Sequence, residues 1–285
     1  MTAETVDTKV KELIGKPENR IKLHDFVHEE TEKLFSAITS LQIPTGSGDD
    51  VALAARQWIT QAEEAASALV KIFAYGCYFG TEDHAYLWKR TLERLSAPRD
   101  TTDLQRKLGL YPVMLIMYAG GVSAVAAQNG PALRSLLVSQ ITSQYSQERD
   151  LLISEVNGWL IEPRTANSIL ELNSRAPISE QVFRIISKLH PASLVGESNL
   201  TQAFNEWDII LSMTIAHHTS RDEARHQWVP VGRFAWDRDS LDNTRRDLDA
   251  QGEEWLPLVI GLFDRNLDDA KKALEATRAV ARGAY

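Results

Sequence analysis

Hydrophobic positions recur along this chain at the 3.6-residue spacing of α-helices. The clearest run is Asp50 to Tyr75. There Val51, Ala55, Trp58, Ala62, Ala65, Leu69, Ile72 and Phe73 fall within about 100° of arc, and Arg56, Gln57, Thr60, Glu63, Glu64, Ser67 and Lys71 lie opposite. Asp49 or Asp50 is placed to cap the start of this helix and Gly76 to end it. An earlier helix over Pro17 to Ser40 carries a stripe of Leu23, Val27, Thr31, Leu34, Phe35 and Ile38, and the loop 43–49 separates the two. The same periodicity predicts helices near 82–97, 131–141, 148–160, 178–189, 199–217, 253–264 and 266–282. Trp228 to Trp236 is the one extended candidate. It is broken by Pro230 and Gly232, and one such segment cannot make a sheet, so it is expected to be a connector laid over helices. The pattern is weakest at about 98–107, 162–177 and 190–198. No fixed repeat links the helices. The expected fold is therefore all-α: an irregular multi-helix bundle, one domain over 1–285, with 162–177 as the place where two subdomains would join.

The run from Leu108 to Leu133 contains no charged residue. A helix apolar on all sides belongs in the middle of a helical protein or in a bilayer. For the membrane, its first part is long enough to cross, and Arg106 and Lys107 precede it as a cytoplasmic flank would. For the protein interior, Pro112 suits a first helical turn, which would start the helix near Tyr111. Its two sides also differ. Ala119, Gly120, Ser123, Ala124 and Ala127 share one face, and Met114, Leu115, Tyr118, Val122 and Val125 share the other. One face admits a close neighbour and the other needs bulky partners, a division that lipid does not require. Asn129-Gly130-Pro131 closes this helix and opens the next. The buried central helix is the better account.

Composition narrows the class. The hydrophobic share of 44% and charged share of 25% are those of a globular protein. A net charge of −8 argues against a general nucleic-acid surface. The first residues, Met-Thr-Ala-Glu-Thr-Val-Asp, have neither the basic region nor the apolar core of a secretory signal. The single cysteine, Cys77, excludes an internal disulfide and reads as a buried small hydrophobe, since no His, Lys or Arg lies beside it. A bacterial-type cytoplasm fits these features.

Motifs for chemistry are mostly missing. The sequence has no phosphate-binding glycine loop, no Gly-x-Ser-x-Gly elbow and no His-Glu-x-x-His. His24 and His28 stand one turn apart at the edge of an apolar stripe, but no carboxylate is fixed as a third ligand. His217 and His218 end a long apolar helix, where a cation complements the helix C-terminus. Glu223 and His226 form the Glu-x-x-His unit of carboxylate-bridged di-metal bundles, which need that unit twice. No metal or other cofactor is expected. His217, His218, Glu223 and His226 are the outside candidates for a metal-binding or enzymatic site. Between Thr219 and Asp247, six arginines meet six acidic residues with Trp228, Phe234 and Trp236 among them. That mixture suits a protein-binding surface with Trp228, Arg233, Phe234 and Trp236 as contacts. It suits equally well a connector whose aromatics anchor it to the core.

The run Tyr111-Pro112 through Gly121, followed by Trp228 to Trp236 and Trp255 to Phe263, resembles helical C-terminal regions of large bacterial multidomain proteins of the defence type. In those proteins an effector or nucleotide-binding module precedes the helical part. The resemblance implies a helical fold and a regulatory or scaffold role, and it supplies no catalytic residue. This chain begins at its own methionine with no such module ahead, which suggests a separated subunit, a trimmed chain or another role. The sequence thus points to a non-catalytic helical protein-binding or scaffold module that engages a protein partner or a second copy of itself. No nucleic acid or membrane is expected as a partner. A helical enzyme with a site near His217, His218 and His226, and a membrane-inserting helical protein, are the alternatives.

Overall fold

A computed structural model describes residues 3–40, 42, 48–98, 101–142, 149–220 and 229–283. Among them the helical periodicity is realised in twelve α-helices: α1 (Ala3–Ile14), α2 (Arg20–Ser40), α3 (Asp49–Phe79), α4 (Glu82–Leu95), α5 (Asp103–Ala126), α6 (Gly130–Leu137), α7 (Pro163–Leu170), α8 (Pro177–Leu189), α9 (Glu197–Ser220), α10 (Arg238–Gln251), α11 (Leu256–Val259) and α12 (Leu267–Gly283). The expected all-α class holds. The only strands among the described residues are β1 (Gln140–Thr142) and β2 (Arg149–Leu151), antiparallel with Ile141 opposite Asp150. No α-helix forms over 149–160, where one was expected: β2 is followed by a single 3₁₀ turn at Leu152–Ser154 and then by turns.

The charge-free run forms the centre. Its helix, α5, starts earlier than Pro112 suggests, because Thr102 and Gln105 make a reciprocal capping box. The Gln105 amide donates to Thr102 Oγ1 and the Thr102 amide to Gln105 Oε1, each at 3.3 Å. Pro112 therefore lies inside the helix rather than in its first turn. Arg106 and Lys107 are bound locally instead of flanking a span. Both reach Asp103 at 3.1 Å, and Arg106 also pairs with Glu155. By length and hydropathy α5 could cross a bilayer, yet in this fold its most apolar window is wholly covered by protein. Helix α3 is its main neighbour, with α9, α6, α8 and α4 around the remainder.

The two faces of α5 meet different partners, as their side-chain sizes require. A β-carbon built on Gly120 would lie 3.0 Å from Cys77 Sγ and 3.2 Å from Phe73, both on α3, and 3.3 Å from Leu136 on α6. On the bulky face, the Tyr118 ring packs on Phe204 and Trp207 of α9, at centroid distances of 5.3 and 5.9 Å. Gly76 does not end α3, which continues to Phe79. That glycine is there for room: a β-carbon would overlap the Trp88 indole from α4. Gly121 does the same for the Trp207 indole.

Two helices carry too little apolar signal to be expected from the sequence. Among the described side chains of α1 only Val6, Val10 and Leu13 are buried, and α10, half of whose residues are charged, buries Thr244 and Leu248. The segment 162–177 is no bare joint, since it contains α7. Arg56 Nε on α3 donates to the Ile169 carbonyl at 2.6 Å, tying α7 back across more than a hundred residues. One connected set of buried apolar side chains runs from Val6 to Ala281. The expected helix over 253–264 is only α11, followed by a left-handed turn described below.

Candidate functional site

The connector expected to be extended is described from Val229 onward, and it lies in the core rather than on it. Val229, Val231, Phe234 and Ala235 are buried, and 233–236 wind into a short 3₁₀ turn. Its backbone is held at successive points: Ser212 Oγ donates to the Pro230 carbonyl at 2.9 Å and Trp159 Nε1 to the Val231 carbonyl at 3.0 Å. The Arg233 amide donates to Ser179 Oγ at 3.1 Å. Arg233 spreads its guanidinium over the Phe183 ring, 3.6 Å from the centroid, with Nε 3.6 Å from Glu180. Of the four expected contact residues, Phe234 is buried, Arg233 and Trp236 remain partly exposed, and Trp228 lies outside the described residues. Burial gives Phe234 a structural role in anchoring the connector.

Beneath this connector sits a buried carboxylate. Asp208, on α9, accepts a hydrogen bond from Tyr118 Oη at 2.6 Å and another from Ser179 Oγ at 3.2 Å. Gly232 presses so closely on it that a β-carbon there would overlap Oδ2. Burial raises the Asp208 carboxyl to about 6, against the opposing pull of those two hydrogen bonds and of the Arg233 charge. The Tyr118 phenol is pushed well up by its own burial and by Asp208. Ser179 completes the arrangement, donating to Asp208 while accepting from Arg233. The cluster closes on itself and holds α5, α8, α9 and the connector together.

Two further polar contacts cross the core. Tyr111 Oη and Gln181 Nε2 both donate to Glu63 Oε1, each at 2.7 Å. Ser123 Oγ meets His190 Nε2 at 2.7 Å, and burial lowers the His190 imidazole to about 4, so it is neutral at pH 7. Cys77 is fully buried, and its burial raises the thiol and keeps it unreactive.

The histidine candidates do not converge. His217 Nε2 faces Asp264 at 3.4 Å and its ring packs on Phe263, whereas His218 Nε2 meets Asp150 at 2.8 Å. Successive residues on a helix point about 100° apart, which accounts for the divergence. Glu223 and His226 lie outside the described residues. His24 and His28 are exposed on α2 with their rings 6.5 Å apart, rather than at the core edge. Among the described residues, no three His, Cys, Asp or Glu side chains are grouped to hold a metal.

A concave feature with exposed aromatic, aliphatic and arginine side chains lies elsewhere, between α4, α6 and the segment 256–265. It is an open groove of about 730 Å³. Asn129 sets its base by accepting from the Ala132 amide at 3.2 Å, which caps α6, and donating to the Gly80 carbonyl at 2.7 Å, which ties α6 to the α3–α4 joint. Gly130 admits the α11 segment, since a β-carbon there would stand 2.6 Å from Ile260. Tyr86 from α4 and Val259 from α11 line the groove at 67% and 50% exposure. Arg134 and Arg265 both approach Gly261, their Nε atoms within 3.9 Å of where its β-carbon would be.

Arg265 reaches this place through unusual backbone. Phe263, Asp264 and Arg265 have φ of 53°, 55° and 59°, three successive side-chain-bearing residues in the left-handed region. Each costs about 1–2 kcal/mol relative to right-handed backbone. Burial of Phe263 offsets the cost: its ring stacks on Trp255 at 6.0 Å and meets His217 at 5.7 Å. The sequence hid this groove. Its residues come from three separate segments, and in Gly-Leu-Phe-Asp-Arg-Asn only the glycine and the Asp–Asn pair are residue types that favour left-handed backbone. Compared with known protein families, with curated proteins and with solved structures, the chain matches none.

Proposed function

We propose that this chain is a non-catalytic helical binding module of the cytoplasm, and that the groove between α4, α6 and 256–265 is where a protein partner docks. One observation carries this: an aromatic, an aliphatic and two arginine side chains are all exposed around a single concavity. Tyrosine and arginine supply a disproportionate share of binding energy at protein interfaces, because they bury large areas and make several directional contacts. The groove is also built from strained backbone, and strain of this kind concentrates at functional positions. By contrast, buried Asp208 and His190 and half-buried Glu63 engage neighbours in the fold, which suits a scaffold better than a reaction centre. The resemblance to helical regions of bacterial defence-type proteins makes an effector a natural partner.

The test is retention from native-host extract by wild-type protein and two surface variants. Val259→Asp places a charge in the groove, and Leu53→Asp places one on α3 at a residue with the same 50% exposure. A partner retained by wild type and Leu53→Asp but lost by Val259→Asp is expected. Identical retention by all three proteins contradicts the assignment.

A further inference from the structure

We infer that the groove selects an acidic segment of its partner, with a carboxylate held between Arg134 and Arg265 and apolar side chains laid on Tyr86 and Val259. This rests on the docking face proposed above and adds the chemistry of what docks there.

Charge is the first argument. The chain as a whole is acidic, with 39 carboxylate and 31 basic side chains. The groove reverses that balance, carrying Lys89, Arg134 and Arg265 against Glu82 and Asp264. Asp264 stands at the groove's edge beside His217, 3.4 Å from Nε2. Lys89 leans on Glu93 at 3.8 Å. Arg134 and Arg265 have no hydrogen bond or ion pair among the described residues, so their guanidinium donors are open to an incoming group.

Geometry is the second. The two guanidinium groups approach the same glycine from different elements, with Arg265 Nε 3.6 Å and Arg134 Nε 3.9 Å from the position of a Gly261 β-carbon. Gly261 has φ +85° and no side chain, so the surface between the arginines is bare backbone. A carboxylate placed there can take charge-assisted hydrogen bonds from both sides. A lysine- or arginine-rich segment would meet the same two charges as repulsion.

The apolar surface is the third. Tyr86 and Val259 leave much of their area in water beside the arginines. A segment that alternates acidic and apolar residues satisfies both halves of the groove. A nucleic-acid strand satisfies only the charges, and Glu82 and Asp264 would oppose its continuous phosphates.

The experiment uses fluorescence anisotropy with the full-length protein and three labelled probes. These are a twelve-residue peptide alternating glutamate with leucine and phenylalanine, its lysine-for-glutamate counterpart, and a twelve-nucleotide single-stranded DNA. The acidic peptide is expected to bind at least tenfold more tightly than either other probe and to weaken as salt rises. Arg134→Glu combined with Arg265→Glu should reduce its affinity at least tenfold, while Arg164→Glu, on exposed α7 surface, should change it less than twofold. Binding of the lysine peptide or the DNA as tight as that of the acidic peptide overturns the inference. So does no binding of the acidic peptide, or equal loss in Arg164→Glu. If Val259→Asp loses the native partner while the acidic peptide fails to bind, the docking face stands and its charge preference falls. If neither effect is seen, both fall.

Discussion

Asp208 shows most sharply how single residues govern this molecule. Its carboxyl is fully enclosed, with Tyr118, Ser179 and Gly232 against it. The folded value of about 6 lies above the ordinary 3.8, so the native state holds the proton more tightly than the unfolded chain does. The stability from this group is therefore fully present below the unfolded value. It declines as pH rises and is lost above about 6. Glu206 acts in the same direction: burial, then the nearby Asp247 carboxylate, raises it to about 7. Asp208→Asn keeps the shape and an acceptor for Tyr118 but cannot ionise. Urea unfolding at pH 4.5 and 7.5 should show wild type losing on the order of 2 kcal/mol more than the Asn variant over that interval. Parallel pH profiles for the two proteins would mean that Asp208 does not titrate in the fold.

Arg233 is the second instructive residue. Stacked on Phe183 and close to Glu180, it holds the connector as well as facing solvent. Arg233→Ala should lower stability by about 1 kcal/mol in thermal or urea melts, from lost stacking and stem packing. A neutral result would indicate that the contact contributes nothing and would leave Arg233 as a surface residue.

At the scale of elements, glycine positions set how closely the helices approach. Gly121 on α5 and Gly76 on α3 each accept a tryptophan face where a β-carbon would overlap it. Gly121→Ala and Gly120→Leu should each cost on the order of 1–3 kcal/mol by overpacking, read as a lower melting temperature. Unchanged melts would show that α5 has room the structure denies it. The turn after α11 makes the opposite demand, since its backbone is left-handed at residues that are not glycine. Arg265→Val should destabilise by about 1–2 kcal/mol, because a β-branched side chain is worst suited to that backbone, whereas Arg265→Gly should not. Equal effects of the two changes would argue against a left-handed turn.

These elements also show why the sequence was legible in some places and opaque in others. Helices α2, α3, α8 and α12 announce themselves because each buries a stripe, and hydropathy periodicity reports burial; α9 shows instead as a long apolar run that is buried nearly all round. The size asymmetry of α5 was readable for the same reason. Helix α10 was not, because its charged sequence contributes little to the core. Gly76 misled because a glycine that ends a helix and one that admits an indole look alike until the partner, Trp88, is placed. Pro112 misled because the capping box at Thr102 starts α5 earlier than its proline would. The candidate site was the least legible part. Tyr86, Arg134, Val259 and Arg265 are far apart in sequence, and their common property is exposure, which periodicity does not encode.

At the scale of the whole molecule, an apolar helix sits among α3, α4, α6, α8 and α9, and polar residues within the core bind those helices to one another. Because α5 is covered on every side, the folded protein should stay in the dense fraction when floated with liposomes. Recovery of folded protein in the lipid fraction would reverse the assignment of α5 to the interior. The groove brings exposed Tyr86 and Val259 together with Arg134 and Arg265, so the central claim concerns that face. Its most direct measurement is site-specific photo-crosslinking in native-host cells. A photoreactive phenylalanine replaces Tyr86 in one protein and Leu53 in another, both exposed positions, with the second on α3 outside the groove lining. The account predicts a discrete partner adduct from position 86 that is absent from position 53 and is diminished when Arg134 and Arg265 are reversed to glutamate. No adduct at 86, or the same adducts at both positions, would contradict it.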